Sequence, residues 1–129
     1  MILWVETTGQ DGEPLRLVEG AVVPEWGGGQ AGLPGKAYAK LLRDVVSGEM
    51  PVVSYWKQTQ IVSDNRLAAF ETDVSTYTFA LPSSLNGEIA VSATVMLRRV
   101  FQDVAEARGW DMPNMLMAEA AVAVTVEAE

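Results

Sequence analysis

The clearest pattern in the chain lies at residues 88–98, where Ile89, Val91, Ala93, Val95 and Leu97 alternate with positions that include Ser92, Thr94 and Arg98. A period of two sends one set to the core side of a sheet and the other to the wetter side, so a strand is predicted there. Residues 117–127 repeat the device, with Ala120, Val122, Val124 and Val126 inward and Glu119, Thr125 and Glu127 outward. Residues 2–7 read as a short strand. The Asp11-Gly12 pair suits a tight reversal, and residues 15–18 read as the return strand. Residues 52–62 carry Val52, Val53, Tyr55, Trp56, Thr59, Ile61 and Val62, the composition of a long strand. Residues 73–81 alternate Ser75, Tyr77, Phe79 and Leu81 against Val74, Thr76, Thr78 and Ala80, which predicts another.

Two segments break the period. Tyr38, Leu41, Leu42 and Val45 fall at i, i+3, i+4 and i+7, the spacing of a helix over 36–46. Phe101, Val104, Ala105 and Arg108 also keep helical spacing, and Gly109 is placed to end that helix. Gly27-Gly28-Gly29, with Gly32, Pro34 and Gly35 close behind, predicts a long flexible loop after Trp26. Turn residues follow at 47–51 and 83–87, and residues 110–114 form a loop around Pro113. About seven strands with one short helix near the C-terminus give an all-β class, an antiparallel immunoglobulin-like sandwich in a single domain over 1–129. Crossover helices do not recur, which argues against a doubly wound parallel sheet.

With 129 residues and 49% hydrophobic content, the chain can bury a core without covalent staples. Cys and His are both absent. That removes disulfides, zinc fingers, Cys and His nucleophiles, His bases and covalent haem attachment from this stretch. A net charge of −8 repels phosphate backbones, so nucleic acid is not an expected partner. No apolar run approaches the roughly 20 residues of a membrane span, and no basic-led signal peptide precedes Ile2. The strand begins at Ile2 with no polar lead-in, the profile expected of a domain excised from a longer protein.

Candidate chemistry is sparse. Most carboxylates stand singly at turns or strand ends, as Glu6, Asp11, Glu13, Glu71, Asp73, Glu88 and Glu127 do, where they serve solvation. Asp64-Asn65-Arg66 is the most pointed polar cluster. It lacks the Asp-x-Asp-x-Asp-Gly spacing of a calcium loop, so an Asx turn with Arg66 bonded to a neighbouring carbonyl or acid is expected. Met112, Met115 and Met117 offer thioethers for Cu(I), but with no Cys or His to share the site packing is the plainer role. Trp26 and Trp110 sit in predicted loops, where they could form a carbohydrate-binding surface; Trp4 and Trp56 sit in predicted strands. The triple glycine is no phosphate cradle, because Gly35-Lys36 is followed by Ala37 where a P-loop needs Ser or Thr. A serine elbow is missing, and without His a triad cannot form. No catalytic, cofactor-binding or metal-binding residue is therefore assigned.

Several short elements occur in a telling order: Leu3-Trp4-Val5, Asp11-Gly12 with Leu15, Glu19-Gly20, Tyr38, Trp56-Lys57, Asp64-Asn65-Arg66-Leu67, Tyr77-Thr78-Phe79, residues 91–99, and Met117-Ala118-Glu119. Together they resemble the β-sandwich domain that follows the haem-binding region in some bacterial multihaem c-type cytochromes. Where that family has a Pro-rich turn after the Asp-x-Arg segment, this chain has Leu67-Ala68-Ala69-Phe70. The resemblance implies a framework role for Trp56, Asp64 and Arg66, and an extended chain at 36–46 in place of the helix. It implies an extracytoplasmic location, with haem held only in a region upstream of Ile2.

The function this predicts is non-enzymatic: an accessory or docking domain of a larger exported protein, positioning the haem domain or binding a protein partner through loops and sheet edges. The acidic surface would steer a basic redox partner. A carbohydrate-binding module using Trp26 and Trp110 is the alternative, and a copper-binding domain using Met112, Met115 and Met117 is a third.

Overall fold

A computed structural model describes residues 1–127 of the chain. Strands take up 41% of it and helices 10%, so the class is the all-β one that the alternating pattern predicts. Among the described residues there are eight strands: β1 (Ile2–Thr8), β2 (Leu17–Glu19), β3 (Gly35–Ala37), β4 (Lys40–Asp44), β5 (Thr59–Asp64), β6 (Thr78–Phe79), β7 (Gly87–Leu97) and β8 (Met115–Val126). One short helix, α1 (Gln102–Arg108), joins β7 to β8. Every strand pairing is antiparallel, an arrangement consistent with a β-sandwich.

The chain divides into two compact units. The larger holds Ile2–Ala37 and the chain from Ser75 onward. Its main sheet has the order β3-β1-β7-β8, and a separate ladder pairs β2 with β6. Ile2 lies opposite both Ala37 and Met96, and these three close with Val23 into a buried cluster on which Trp4 and Trp26 pack. The core therefore changes face along β7. Ile89, in the predicted inward set, is buried, but at the other end the buried residues are Thr94 and Met96, from the set predicted to be wetter. Their register opposite Trp4 and Ile2 accounts for the switch.

The predicted loop after Trp26 is instead a 3-10 helix, Glu25–Gln30, pinned to the rest of the unit. Arg98 donates to the Gly27 carbonyl (2.5 Å), to Gln30 Oε1 (2.6 Å) and to Asn114 Oδ1 (3.0 Å). The Gly29 N–H donates to Gln102 Oε1 at 2.9 Å. Gly28 has φ +63°, and a Cβ there would lie 2.2 Å from Gln102 Oε1, so glycine is required by both conformation and space. At the other end of α1, Gly109 adopts the left-handed conformation that ends the helix, as its position predicts.

The smaller unit holds Met1 and Tyr38–Val74, with β4 paired to β5. The helix predicted over 36–46 does not form; β3 and β4 are extended there. The ladder to β5 holds this stretch extended, with Val62 of β5 bulging between the partners of Leu41 and Leu42. The strand predicted over 52–62 is confined to β5, and residues 54–57 turn back instead, with Lys57 N–H bonded to the Ser54 carbonyl. The strand predicted over 73–81 shrinks to the two residues of β6. The predicted return strand at 15–18 meets β1 only at its start, where Leu15 N–H donates to the Thr7 carbonyl at 3.1 Å beside a bridge of Pro14 to Thr8; from Leu17 it pairs with β6.

Candidate docking surfaces

In the smaller unit a polar network braces the turn that carries two aromatic rings. The Asp44 side chain is buried, its Oδ1 accepting from the Val46 N–H (3.0 Å) and its Oδ2 from the Ser47 hydroxyl (2.6 Å). The Ser47 hydrogen bond, helped by the Val46 N–H, holds the carboxyl below its ordinary value. Lys57 lies 3.7 Å from Asp44 and also bonds Glu49, whose carboxylate raises the ammonium above its usual value. Val45 N–H donates to the Gln58 carbonyl, tying the two turns together. Directly before Lys57, Tyr55 is 94% exposed and Trp56 66% exposed. Their rings meet edge to face, with centroids 5.1 Å apart and an interplanar angle of 86°. Perpendicular rings do not make the flat platform on which a sugar ring would stack.

A second brace shapes residues 64–73. Arg66 grips Asp64 with both arms of its guanidinium, Nε to Oδ1 at 2.8 Å and Nη2 to Oδ2 at 2.7 Å, and holds that carboxyl down at about 2. The Arg66 N–H also reaches Asp64 Oδ1 at 3.3 Å, forming the Asx turn the sequence predicts. Asn65 Oδ1 accepts from the Ala39 N–H at 2.8 Å. At the far end the Tyr38 hydroxyl donates to Asp73 Oδ2 at 2.6 Å. Between these anchors Glu71 closes a tight turn, its Oε2 accepting from the Ala68 N–H at 2.8 Å and its own N–H donating to the Ala68 carbonyl. Phe70 sits in that turn, fully exposed and with φ +64°. A bulky residue in the left-handed region is strained, and here the strain accompanies an apolar ring held in water. Sequence reasoning missed Tyr55 and Phe70: the first was hidden in a strand-like composition, and no local signal marks the backbone of the second.

In the larger unit the predicted candidates fall apart. Trp26 packs on the core cluster and meets the Phe101 ring edge to face at 5.8 Å. Trp110 is 46% exposed, with the Arg108 guanidinium 5.0 Å from its ring centre. Each ring is engaged within its own surroundings. Of the methionines, Met115 Sδ accepts a hydrogen bond from Arg99 at 3.1 Å. Among the described residues no group of three or more Cys, His, Asp or Glu side chains is arranged to hold a metal ion.

The chain matches no family model, no curated protein and no solved structure. What it offers is read from its own surfaces.

The last of those surfaces is β8. The residues predicted to face inward there, Ala120, Val122 and Val124, are exposed. They continue the face of Ile89, Val91 and Ala93 across the ladder, yet Val124, opposite the buried Ile89, is 46% exposed. Among the described residues no helix is long and apolar enough to cross a membrane.

Proposed function

We propose that this chain is a non-catalytic docking domain of a larger extracytoplasmic protein, and that it engages a protein partner through Tyr55, Trp56 and Phe70. The observation that carries the reading is the conjunction at Phe70: a fully exposed aromatic side chain, in a strained backbone conformation, in a loop braced at both ends by Arg66–Asp64 and Tyr38–Asp73. Large exposed apolar groups on rigid supports are characteristic of interaction sites, and Trp and Tyr dominate binding energy where they anchor an interface. Bracing the loops beforehand lowers the ordering cost of association.

The resemblance to the domain that follows the haem region of multihaem cytochromes names the partner: the haem-bearing part of the same protein. It also supplies the extracytoplasmic location. The residues of this chain do not fit haem attachment, because Cys and His are both absent. Its contribution is therefore binding and positioning, and its net charge of −8 favours encounter with a basic surface.

Hydroxyl-radical footprinting of the 129-residue chain alone and of the full-length native protein tests this. Tyr55, Trp56 and Phe70 are expected to be protected in the native protein, while Trp110 stays as reactive as in the chain alone. A visible spectrum of the same native sample is expected to show a Soret band. Equal labelling of the three aromatics in both samples overturns the docking surface, and a colourless native protein removes the cytochrome partner.

A further inference from the structure

We propose that a second copy of this chain docks on β8, the two strands pairing antiparallel about a two-fold axis through Val122 so that their sheets become continuous. This inference concerns the larger unit alone and does not depend on the aromatic surface of the smaller one.

β8 is twelve residues long and stands at the end of the sheet order, hydrogen-bonded to β7 on one side. One of its faces is apolar, with Ala118, Ala120, Val122 and Val124, and the other sets Ala121 and Ala123 between Glu119 and Thr125. The residues are also exposed: Leu116 by 65%, Val122 by 58%. From Ala118 to Val126 the usual protections of an edge are sparse: the strand has no Pro, Lys or Arg there, its one charge is Glu119, and its bulge lies outside that stretch at Met117. The opposite edge of the sheet is managed differently: β3 has three residues, Gly35 N–H is taken by the Ala21 carbonyl, and Val22 bridges Pro34.

Whatever covers β8 must bring a strand of similar length whose apolar row continues that of Ala118, Ala120, Val122 and Val124, and must set no negative charge against Glu119. β8 of a second copy meets all three conditions. The ladder to β7 is regular from Ala118 to Val126, the shift in register lying between Val95 and Met96. Centring a two-fold on Val122 uses the whole of that regular stretch. Val122 then faces Val122 of the second copy, Ala121 faces Ala123, Ala120 faces Val124, and Glu119 faces Thr125. The two Glu119 side chains are kept apart by six residue steps, about 20 Å at roughly 3.4 Å per residue. Because outward N–H and C=O groups recur on alternate residues, the pairing makes about eight or ten main-chain hydrogen bonds, near the roughly ten of an ordinary protein interface. An axis perpendicular to the sheet leaves each face on its own side, so the apolar row of one copy continues into the other.

The absence of cysteine makes the register directly testable in the 129-residue chain. Val122→Cys places two thiols opposite each other within disulfide reach, whereas in Ala120→Cys they stand about 13 Å apart, beyond it. Under mild oxidation Val122→Cys is expected to give a covalent dimer and Ala120→Cys to remain a single chain. By sedimentation equilibrium, Thr125→Lys, which sets Lys against Glu119 at two symmetric places, is expected to tighten the dimer about three- to tenfold, and Thr125→Glu to loosen it by a similar factor. Cross-linking that does not distinguish Val122→Cys from Ala120→Cys, a monomer at every concentration, or equal dissociation constants for Thr125→Lys and Thr125→Glu would each overturn the proposal.

Discussion

Tyr38 and Asp73, thirty-five positions apart, share a 2.6 Å hydrogen bond that fastens the far end of the loop bearing Phe70. Tyr38 is buried and Asp73 exposed. Replacing Tyr38 by Phe keeps the ring and removes the donor, leaving a carboxylate that water can solvate. The expected cost is about 0.5–1.5 kcal/mol in urea unfolding, with faster amide exchange at Phe70 and Glu71. An unchanged exchange rate there would show that the bond does not restrain the loop.

Arg98 does comparable work in the larger unit, joining β7 to Gly27, Gln30 and Asn114. Burial disfavours its charged form, so its three acceptors compensate for lost water. Arg98→Ala is expected to destabilise the fold by about 2–3 kcal/mol, the order for losing hydrogen bonds to a charged group. Arg98→Lys should recover less than half of that, because an ammonium lacks the planar fork that reaches three acceptors in different directions.

Gly28→Ala tests the same junction from the other side. The new methyl group would collide with Gln102 and Arg98 and would sit in a left-handed conformation. A loss of at least about 1 kcal/mol is expected in thermal or urea unfolding. Stability equal to the parent would mean that Glu25–Gln30 is not held as described.

Acid should unfold the smaller unit through two carboxylates. Asp64 is lowered from 3.8 to about 2, chiefly by Arg66, and Asp44 is lowered chiefly by Ser47. A depressed folded value means that each stabilises the fold above the unfolded value and loses that contribution as pH falls through the folded one. The melting temperature attributable to Asp64 should therefore be flat above about pH 5 and fall from pH 4 toward pH 2. Arg66→Gln should flatten part of that fall, and an unaltered profile would contradict the ion pair's role.

The sequence carries the elements whose period is uninterrupted. β7, β8 and α1 with its Gly109 cap are legible from side chains alone, because each repeats a face or stripe over most of its length. The Asx turn at Asp64 is legible for the same local reason. Long-range placement is not: the spacing of Tyr38, Leu41, Leu42 and Val45 does not show the ladder that holds 40–44 extended, and the composition of β8 does not reveal that it lies at an edge. Tyr55 and Trp56 look like strand residues because β-propensity reports a side chain's fit to a pleated surface, and their exposure is fixed by the Asp44, Ser47 and Lys57 network. Phe70 depends on a positive φ that only the closed loop imposes.

The docking claim is met most directly by titrating this chain against the haem-bearing region that the proposal assigns to the native protein, with Tyr55→Ser, Trp56→Ser and Phe70→Ser combined in one variant. Because these side chains are exposed, the variant should unfold within about 0.5 kcal/mol of the parent. Its affinity for that region should fall at least about tenfold, as the loss of aromatic anchors at an interface requires. Binding as tight as that of the unsubstituted chain would contradict the account.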